Sequence, residues 1–559
     1  MKEGTQTSGY FKELKPKLFT CMKGYNGKQF VNDVVAGIIV AIIALPLSIA
    51  LALASGVGPS QGLYTAIVAG FIIAFFGGSR VQIAGPTAAF ATIVAGIVAK
   101  NGMDGLAIAT VMAGIILIVM GLLKFGSLIK YIPYTITTGF TAGIAVTIVI
   151  GQVKDFLGLT FKSSPVETME KVEAIIKSIT TINVYALIIG LVSLAILIIW
   201  PHIKYVNKLP GSLMAVIVGS AIVKILDMDV NTIGKLYTIS SELPHFSMPN
   251  VTFGAVKNLL PDAFTIAILA GIESLLSCVV ADGMVGSKHR SNAELVAQGL
   301  GNVGSALFGG IPATGAIART AANIKNGGRT PIAGMVHSIT LVIILVLLVP
   351  YASMIPMPTI AAILFMVAYN MCGYKEFINL CKKAPRSDVL VLVLTFGLTV
   401  VFDLVVAIEI GIVVASFLFM KRMSDTAQIT GWRYVEEEEY DAESISLRAV
   451  PEHTLVYEIN GPMFFAAANK FMEISLDPSI NVIILRMRSV PAMDVTALHT
   501  LENVLQTCKK RDITLLLSHV MDQPMSMMKR AGFDKALGKE NFCENIDAAL
   551  ARAKSLSEK

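Results

Sequence analysis

Long apolar runs alternate with short polar stretches along the first 420 residues of the chain. Most of these runs approach the roughly 20 residues that cross a hydrocarbon core of about 30 Å as a helix. The pattern predicts a polytopic α-helical membrane protein. The fourteen apolar segments are 34–53, 62–76, 84–99, 105–123, 132–153, 183–200, 211–226, 261–281, 294–308, 315–324, 330–350, 359–371, 388–402 and 404–420.

Two of the fourteen segments, 84–99 and 315–324, are too short, or too interrupted by glycine and proline, to cross a bilayer as single helices. Both occupy the third position in a half of seven segments. Because an odd number of crossings reverses the chain, the two halves are predicted to be inverted repeats. Discontinuous helices at matching positions of inverted repeats point to the binding site of a transporter.

The two short segments also follow similar sequence. Residues 75–93 read FFGGSRVQIAGPTAAFATI and residues 307–324 read LFGGIPATGAIARTAANI. Aligning Gly77 with Gly309 places Thr87 opposite Arg319. Each half-helix would bring an N-terminus with about half a positive charge and free N–H groups to the midplane, where an anion would bind. The alternative is that small residues merely pack between helices.

The composition changes after the last apolar segment. An acidic stretch at 436–444 precedes short apolar runs at 454–459, 481–487 and 513–518 that are typical of strands, and helical patterns at 465–476, 494–509, 522–531 and 544–554. Strands that alternate with helices predict a small α/β domain. We therefore expect an N-terminal segment at 1–30, a transmembrane transport domain at 31–422, a linker at 423–452 and the α/β domain at 453–559.

The charge pattern fixes an expected orientation. Only 15% of residues are charged, against about 25% in soluble proteins. Lysine and arginine concentrate in alternate short loops, which places both termini in the cytoplasm by the positive-inside rule. No signal peptide is visible, the net charge of +6 is spread rather than clustered for nucleic acid, and the six cysteines have no metal-site spacing.

Several motifs resemble the sulfate permease (SulP) and solute carrier 26 family. They are PLSIALALASGVGPSQGLYTA (46–66), GGSRVQIAGPTAAF (77–90), GIESLLSCVVADGMVGSKHRSNAEL (271–295) and NGGRTPIAG (326–334). The tail resembles the STAS domain. The resemblance implies a UraA-like fold with core and gate domains, an elevator-like mechanism and a homodimer. Within the family the chain is most similar to bacterial C4-dicarboxylate transporters.

One departure concerns the tail. STAS proteins that act as anti-sigma factor antagonists carry a phosphorylatable serine directly after the aspartate of their switch loop. Here Val495 follows Asp494. The resemblance therefore does not carry a phosphorylation switch to that position, although Thr496 lies next to it.

Arg319 is the first candidate binding residue. An arginine within an apolar segment costs about 2.5–3.5 kcal/mol on insertion scales, so such residues usually face an internal cavity. The resemblance implies that Arg319 lies beside the anion site. The alternative is that its side chain reaches the inner surface near Lys325.

Glu273 is the candidate coupling residue, with Ser277 one helical turn later. An intramembrane carboxylate is a functional hypothesis by default, and proton–anion symport needs a group that binds and releases a proton. Related bicarbonate transporters have an aspartate at this position and couple to sodium, so Na⁺ stays open as the coupling ion. The alternative is a glutamic acid that only hydrogen-bonds between helices.

The remaining substrate-binding candidates line the two half-helices or face them. Threonine hydroxyls and exposed N–H groups can donate to an oxyanion, and small residues let it approach the backbone. The alternative for each is simple packing between helices. The candidates are Thr87, Ala88 and Phe90 on the first half-helix, Ala316, Ile317, Ala318 and Thr320 on the second, and Ser48 on the first span.

These features predict a transporter rather than an enzyme. We expect proton-coupled uptake of a C4-dicarboxylate such as succinate or fumarate across the bacterial inner membrane, with no cofactor or metal. Sulfate or bicarbonate transport in the same family, an anion channel, and a membrane scaffold whose tail binds a soluble partner are the alternatives.

Overall fold

The computed structural model describes residues 13–127, 133–162, 165, 167–203, 210–237, 242–402, 404–426, 428–432, 450–464 and 480–557. Contacts between residues divide the chain into two compact units, Met1–Ile412 and Val413–Lys559.

The first unit is almost entirely helical. Two short strands, β1 (Ala84–Gly85) and β2 (Thr314–Gly315), interrupt it. The helices are α1 (Lys17–Cys21), α2 (Gly27–Ala54), α3 (Pro59–Phe76), α4 (Ala91–Leu122), α5 (Tyr134–Leu157), α6 (Thr168–Ser178), α7 (Val184–Ile199), α8 (Gly211–Ile225), α9 (Ile233–Leu236), α10 (Phe253–Val285), α11 (Ser291–Leu307), α12 (Ile317–Lys325), α13 (Ile332–Ala352), α14 (Met357–Cys372), α15 (Tyr374–Lys383) and α16 (Arg386–Val401). A further helix, α17 (Leu404–Thr426), begins in the first unit and ends in the second.

Each of the fourteen predicted apolar segments contains helical structure, although 84–99 begins in β1 and 315–324 begins in β2. Within the described residues, seven helical segments are long and apolar enough to cross a membrane. The shorter apolar helices Gly211–Ile225 and Ile332–Leu347 add to these. The predicted segments 84–99 and 105–123 both overlap α4, which Gly102 interrupts with non-helical angles, φ 67° and ψ −171°. The two predicted segments are therefore separate helical pieces that meet at this glycine.

Helix α10 is longer than the predicted segment 261–281. It begins eight residues earlier because the side chain of Thr252 accepts a hydrogen bond from the backbone of Ala255 at 3.3 Å, which caps the helix. It ends at Gly286, which adopts the left-handed conformation with φ 68°. The helix thus has 33 residues and includes the polar turn before its apolar part.

Close packing of small residues joins α4 to α11. A Cβ atom added to Gly114 would lie 2.6 Å from the carbonyl oxygen of Gly299, and one added to Gly299 would lie 2.4 Å from the carbonyl oxygen of Gly114. Neither position can hold a larger residue without separating the helices. Small residues at helix contacts are typical of packing in membranes, where backbones approach closely.

The second unit contains a five-stranded sheet in the order β3-β4-β5-β6-β7. Strands β4 to β7 run parallel, and β3 pairs with β4 in the antiparallel sense. The elements are β3 (Gln428–Trp432), β4 (Thr454–Asn460), β5 (Val482–Ser489), α18 (Val495–Lys510), β6 (Thr514–Ser518), α19 (Asp522–Ala531), α20 (Phe533–Leu537), β7 (Phe542–Cys543) and α21 (Ile546–Ser557).

Alternation along β5 builds two apolar layers in this unit. Ile483 and Leu485 join the buried cluster that contains α18 residues, whereas Val482 and Ile484 join the cluster that contains α21 residues. A parallel strand covered on both faces reads as a continuous apolar run, which is why 481–487 signalled a strand. The three predicted strands and the helices 494–509, 522–531 and 544–554 are present; the predicted helix 465–476 lies outside the described residues.

Candidate functional site

The two half-helices meet through a short antiparallel strand pair. Ala84 of β1 pairs with Gly315 of β2, and Gly85 pairs with Thr314. The backbone N–H of Ala316 also donates to the carbonyl oxygen of Ile83 at 2.9 Å. This pairing satisfies backbone groups that would otherwise lack partners inside the first unit, and it brings the two helix starts together.

Neither helix start is capped by its own side chain. Thr87 precedes the 3-10 turn Ala88–Phe90 that leads into α4, and Ala316 precedes α12; no side-chain cap bond forms at either residue. The first N–H groups of a helix have no partner within it. Two uncapped N-termini therefore offer donors and partial positive charge at one place, as an anion site needs.

The strand pairing corrects the alignment made from sequence. It matches β1 with β2, so Thr87 and Ala316 occupy equivalent positions as the residues preceding each helical segment. Arg319 is then equivalent to Phe90, not to Thr87 as the glycine alignment suggested. The repeat places an aromatic residue and an arginine at matching positions.

Arg319 lies inside the first unit rather than at its surface. Its side chain is 1% exposed, and Nη2 donates to the carbonyl oxygen of Pro86 at 3.0 Å. A Cβ added to Gly85 would lie 2.5 Å from Nη1, so only glycine lets the guanidinium approach the first half-helix this closely. No described residue accepts a hydrogen bond from Nε or Nη1. Arg319 therefore does not extend towards Lys325, and it retains donors for a further acceptor.

Glu273 joins the same place from α10. The Thr87 hydroxyl donates to Glu273 Oε2 at 2.8 Å, and the Glu273 side chain is partly exposed. A carboxyl group and an arginine thus contact consecutive residues, Thr87 and Pro86, at the start of the first half-helix. The site combines a carboxyl group, a guanidinium cation and two helix N-termini.

Ser277 and Thr320 form a second link behind this point. The Thr320 hydroxyl accepts from the backbone N–H of Ile83 at 3.0 Å, and the Ser277 hydroxyl lies 3.5 Å from it. Both side chains are buried. This arrangement connects α10, β1 and α12, and favours a positioning role for both residues over direct contact with a substrate.

The other predicted site residues fall into two groups. Ala88 and Phe90 are buried, as is Ala316, whereas Ile317 and Ala318 are exposed beside Arg319. Ser48 on α2 is fully buried, and its hydroxyl has no partner among the described residues. The structure therefore brings Thr87, Glu273 and Arg319 together, and places Ser48 on a separate helix, where its hydroxyl makes no hydrogen bond to them.

Sequence reasoning missed a buried anchor at Glu294. Its Oε2 atom accepts from the backbone of Gly78 and Ser79 at 2.8 and 3.1 Å. Its Oε1 atom accepts from Gln82 at 2.8 Å and from Gln298 at 3.0 Å. The carboxylate ties the loop before β1 to α11. The only signal in the sequence was an acid at the start of an otherwise apolar segment.

A second missed anchor is Asp33, which is fully buried on α2. It accepts from the backbone N–H of Arg329 at 2.8 Å and from the Thr330 hydroxyl at 2.6 Å. These bonds fix the NGGRTP turn that follows α12. Each half-helix is thus held at its polar loop by a buried carboxylate from another helix.

Residues 30–395 match the family model described as the sulfate permease family, and residues 445–549 match the STAS domain. The chain belongs to the sulfate permease family. It is therefore an anion transporter with a C-terminal STAS domain.

Individual relatives agree with this assignment. The chain is 39% identical over 533 residues to YvdB of Bacillus subtilis (strain 168), named as a candidate sulfate transporter, with coverage of 94% of this chain and 98% of the relative. It is 29% identical over 547 residues to the bicarbonate transporter BicA of Picosynechococcus sp., with 93% and 94% covered.

A solved structure supports the fold. The overall structure of SLC26A9 superposes with a TM-score of 0.87 at 19% identity, and covers 100% of this chain and 95% of that chain. The predicted fold class, with inverted repeats of seven segments, core and gate domains and a terminal α/β domain, is confirmed.

Proposed function

We propose that the protein is a secondary active transporter that couples the uptake of a small anion to protons. The observation that carries the proposal is the meeting of Arg319, Thr87 and Glu273 at the uncapped starts of the two half-helices. The core domain would carry this site across the membrane by elevator-like movement against the gate domain. Both termini would lie in the cytoplasm of a bacterial inner membrane, and the protein would form a homodimer.

The charges of the site support anion binding. Each helix N-terminus contributes about half a positive charge, and Arg319 contributes a full charge that stays ionised even when partly buried. Ionised Glu273 offsets part of this positive charge. The site would accept an anion most readily when the carboxyl carries a proton.

The same charges support proton coupling. The Thr87 hydroxyl can donate to Glu273 and so remains bound to it in either protonation state, because a protonated carboxyl retains acceptor oxygens. A proton on Glu273 removes one negative charge beside the anion. By linkage, the anion must then raise the affinity of Glu273 for the proton by the same factor.

A small inorganic oxyanion is the first candidate substrate. The names of YvdB and BicA refer to sulfate and bicarbonate, and either ion could accept from Arg319 and the helix N–H groups. Uptake of C4-dicarboxylates such as succinate or fumarate stays a prediction from the sequence. The STAS domain would bind a soluble partner or adjust the rate of transport, without choosing the substrate.

Counterflow in proteoliposomes tests the proposal. Purified protein is reconstituted with unlabelled sulfate, bicarbonate, succinate or fumarate inside, and the uptake of the labelled anion is followed with and without an inward proton gradient. We expect counterflow for at least one oxyanion and uphill uptake driven by the gradient. Flux without counterflow would indicate a channel, and absence of flux for all four anions would favour a scaffold.

A further inference from the structure

A group of cations gathers around the loop that follows α3. We call Lys15, Lys17, Arg80, Lys288 and Arg290 the basic inner patch. The backbone N–H of Lys17 donates to the carbonyl oxygen of Gly77 at 2.8 Å, and Lys17 Nζ donates to the carbonyl oxygen of Lys288 at 2.7 Å. These bonds hold the N-terminal residues against two loops of the first unit.

Arg290 fixes the same segment from the other side. Its Nη1 atom donates to the carbonyl oxygen of Lys15 at 2.7 Å, and its Nη2 atom donates to the Thr20 hydroxyl at 3.0 Å. Neutral oxygens therefore accept the hydrogen bonds of both Lys17 and Arg290. Such contacts orient the cations without cancelling their charge.

The carboxylates near the basic inner patch are bound elsewhere. Asp282 accepts from the backbone and ring of His289, at 2.7 Å each, and from the Ser287 hydroxyl at 3.0 Å. Glu13 accepts from the Asn292 side chain at 3.2 Å. Arg80 Nε is buried and has no partner among the described residues. Glu294 accepts from the backbone of Gly78 and Ser79 beside Arg80. Among the described residues, the five cations of the patch thus outnumber these three carboxylates.

Burial and neighbouring charges both affect the ionisation of Lys17. Partial burial lowers the pKa of the Lys17 ammonium group most, and the charge of Arg290 lowers it next; Arg80 also lowers it, whereas Cys21 and Asp282 act in the opposite direction. A bound anion would reverse the electrostatic part of this effect. The patch is therefore arranged to gain from a negatively charged ligand.

Exposed aromatic residues border the basic inner patch. Phe19 on α1 is 48% exposed and Phe76 at the end of α3 is 42% exposed. Phe75 lies between them, with ring centroids 6.2 Å from Phe19 and 4.9 Å from Phe76. Because α3 is an apolar membrane span that ends at Phe76, these rings lie at the level where the hydrocarbon meets the headgroups.

We propose that the basic inner patch binds the phosphate headgroup of an anionic phospholipid, whose acyl chain lies along Phe19 and Phe76. Cations beside exposed aromatic rings at a span end are the combination that holds a segment at an anionic membrane surface. A free phosphate would use the cations but would leave the aromatic rings without a role. The proposal uses the cytoplasmic orientation proposed above and is independent of the transported anion.

The test compares lipids on the full-length protein in detergent. Phosphatidylglycerol or phosphatidylcholine is titrated, and the apparent affinity is taken from the shift in melting temperature. The test variant is Lys17→Gln/Arg80→Gln, which leaves the backbone contact of Lys17 in place. The control is Lys529→Gln/Lys535→Gln, which removes two exposed charges from the second unit. A Phe19→Ser variant tests the aromatic border separately.

We expect the parent protein and the control to prefer phosphatidylglycerol. Each cation removed should weaken this preference about fivefold, and the double variant about 30-fold, given roughly 1 kcal/mol per basic residue near an anionic surface. Phe19→Ser should weaken binding of both lipids.

Three results would overturn the proposal. One is an unchanged phosphatidylglycerol preference in a folded Lys17→Gln/Arg80→Gln variant. Another is an equal loss in the control, which would indicate a general charge effect. The third is equal stabilisation by glycerol 3-phosphate, which would assign the patch to a soluble phosphate compound.

Discussion

Replacing Arg319 with glutamine should weaken anion binding by one charge-assisted contact. In the structure Nη2 is bound to the Pro86 carbonyl, whereas Nε and Nη1 have no partner among the described residues. An anion that accepts from one of these free donors gains about 1.5–3 kcal/mol. Arg319→Gln should therefore raise the Kd by roughly 10- to 150-fold, and more for a divalent than for a monovalent anion.

Two companion variants separate the charge of Arg319 from its position. Arg319→Lys keeps the charge but loses the planar fork, so its loss should be smaller than that of Arg319→Gln. Gly85→Ala keeps the arginine but introduces a Cβ 2.5 Å from Nη1. Because Nη1 is the far end of a flexible side chain, the guanidinium should shift away from Pro86 and the affinity should fall by an intermediate factor.

Stability must be measured beside affinity. Removing Arg319 leaves the buried Pro86 carbonyl without this donor, and an unsatisfied buried acceptor costs about 1–3 kcal/mol. It also removes a buried cation that has one hydrogen-bond partner among the described residues, and the loss of this desolvated charge stabilises the fold. The melting temperature of each variant therefore shows whether a higher Kd results from the lost contact with the anion or from a less stable fold.

The assay is equilibrium binding of sulfate, bicarbonate and succinate to purified protein at fixed pH and ionic strength. Lys325→Gln is the matched control, because it removes a charge from the exposed far end of the same helix, α12. An unchanged Kd in folded Arg319→Gln would refute the reasoning. So would an equal loss in Lys325→Gln, since the effect would then be one of general surface potential.

The remaining predictions concern coupling and topology. Glu273→Gln should retain counterflow, because its side-chain oxygen can still accept from Thr87, but should lose uphill uptake driven by a proton gradient; retained uphill uptake would exclude Glu273 as the proton carrier. Truncation after residue 435 should leave a folded domain with an unchanged order of substrate preference in transport assays, and a changed order would contradict the domain division. In a cysteine-free background, Lys162→Cys should react with an impermeant reagent outside cells and Lys529→Cys should not; the reverse result would invert the proposed topology.

The pattern of apolar segments was sufficient to predict the helices. A membrane span must be helical because its backbone groups need hydrogen bonds within the segment, and its side chains must be largely apolar over a long stretch because hydrocarbon surrounds it. The half-helices were also recognisable, from their shortness and their repeated glycines. Their register was not. Five residues separate Gly78 from β1, whereas three separate Gly310 from β2. An alignment that matches Gly77 with Gly309 is therefore shifted by two residues at the strands and by three residues at the helices.

The buried carboxylates escaped prediction for a different reason. Glu294 and Asp33 act by accepting hydrogen bonds from backbone groups more than 200 residues away in sequence. Such contacts have no periodicity and no characteristic spacing. An acid near a helix start has the same appearance whether it stabilises the helix dipole at the surface or anchors a distant loop in the interior.

The two half-helices carry unequal chemistry, and a proton-coupled anion transporter depends on that inequality. The first start has Thr87 bound to Glu273, and the second has Arg319 bound to Pro86. Two arginines would bind an anion without any link to protons, and two acids would repel it. With one of each, protonation of Glu273 changes the net charge beside the anion by one unit. At an effective dielectric constant of about 20, unit charges about 6 Å apart interact by roughly 3 kcal/mol, so the proton and the anion can each change the affinity of the other by about 100-fold.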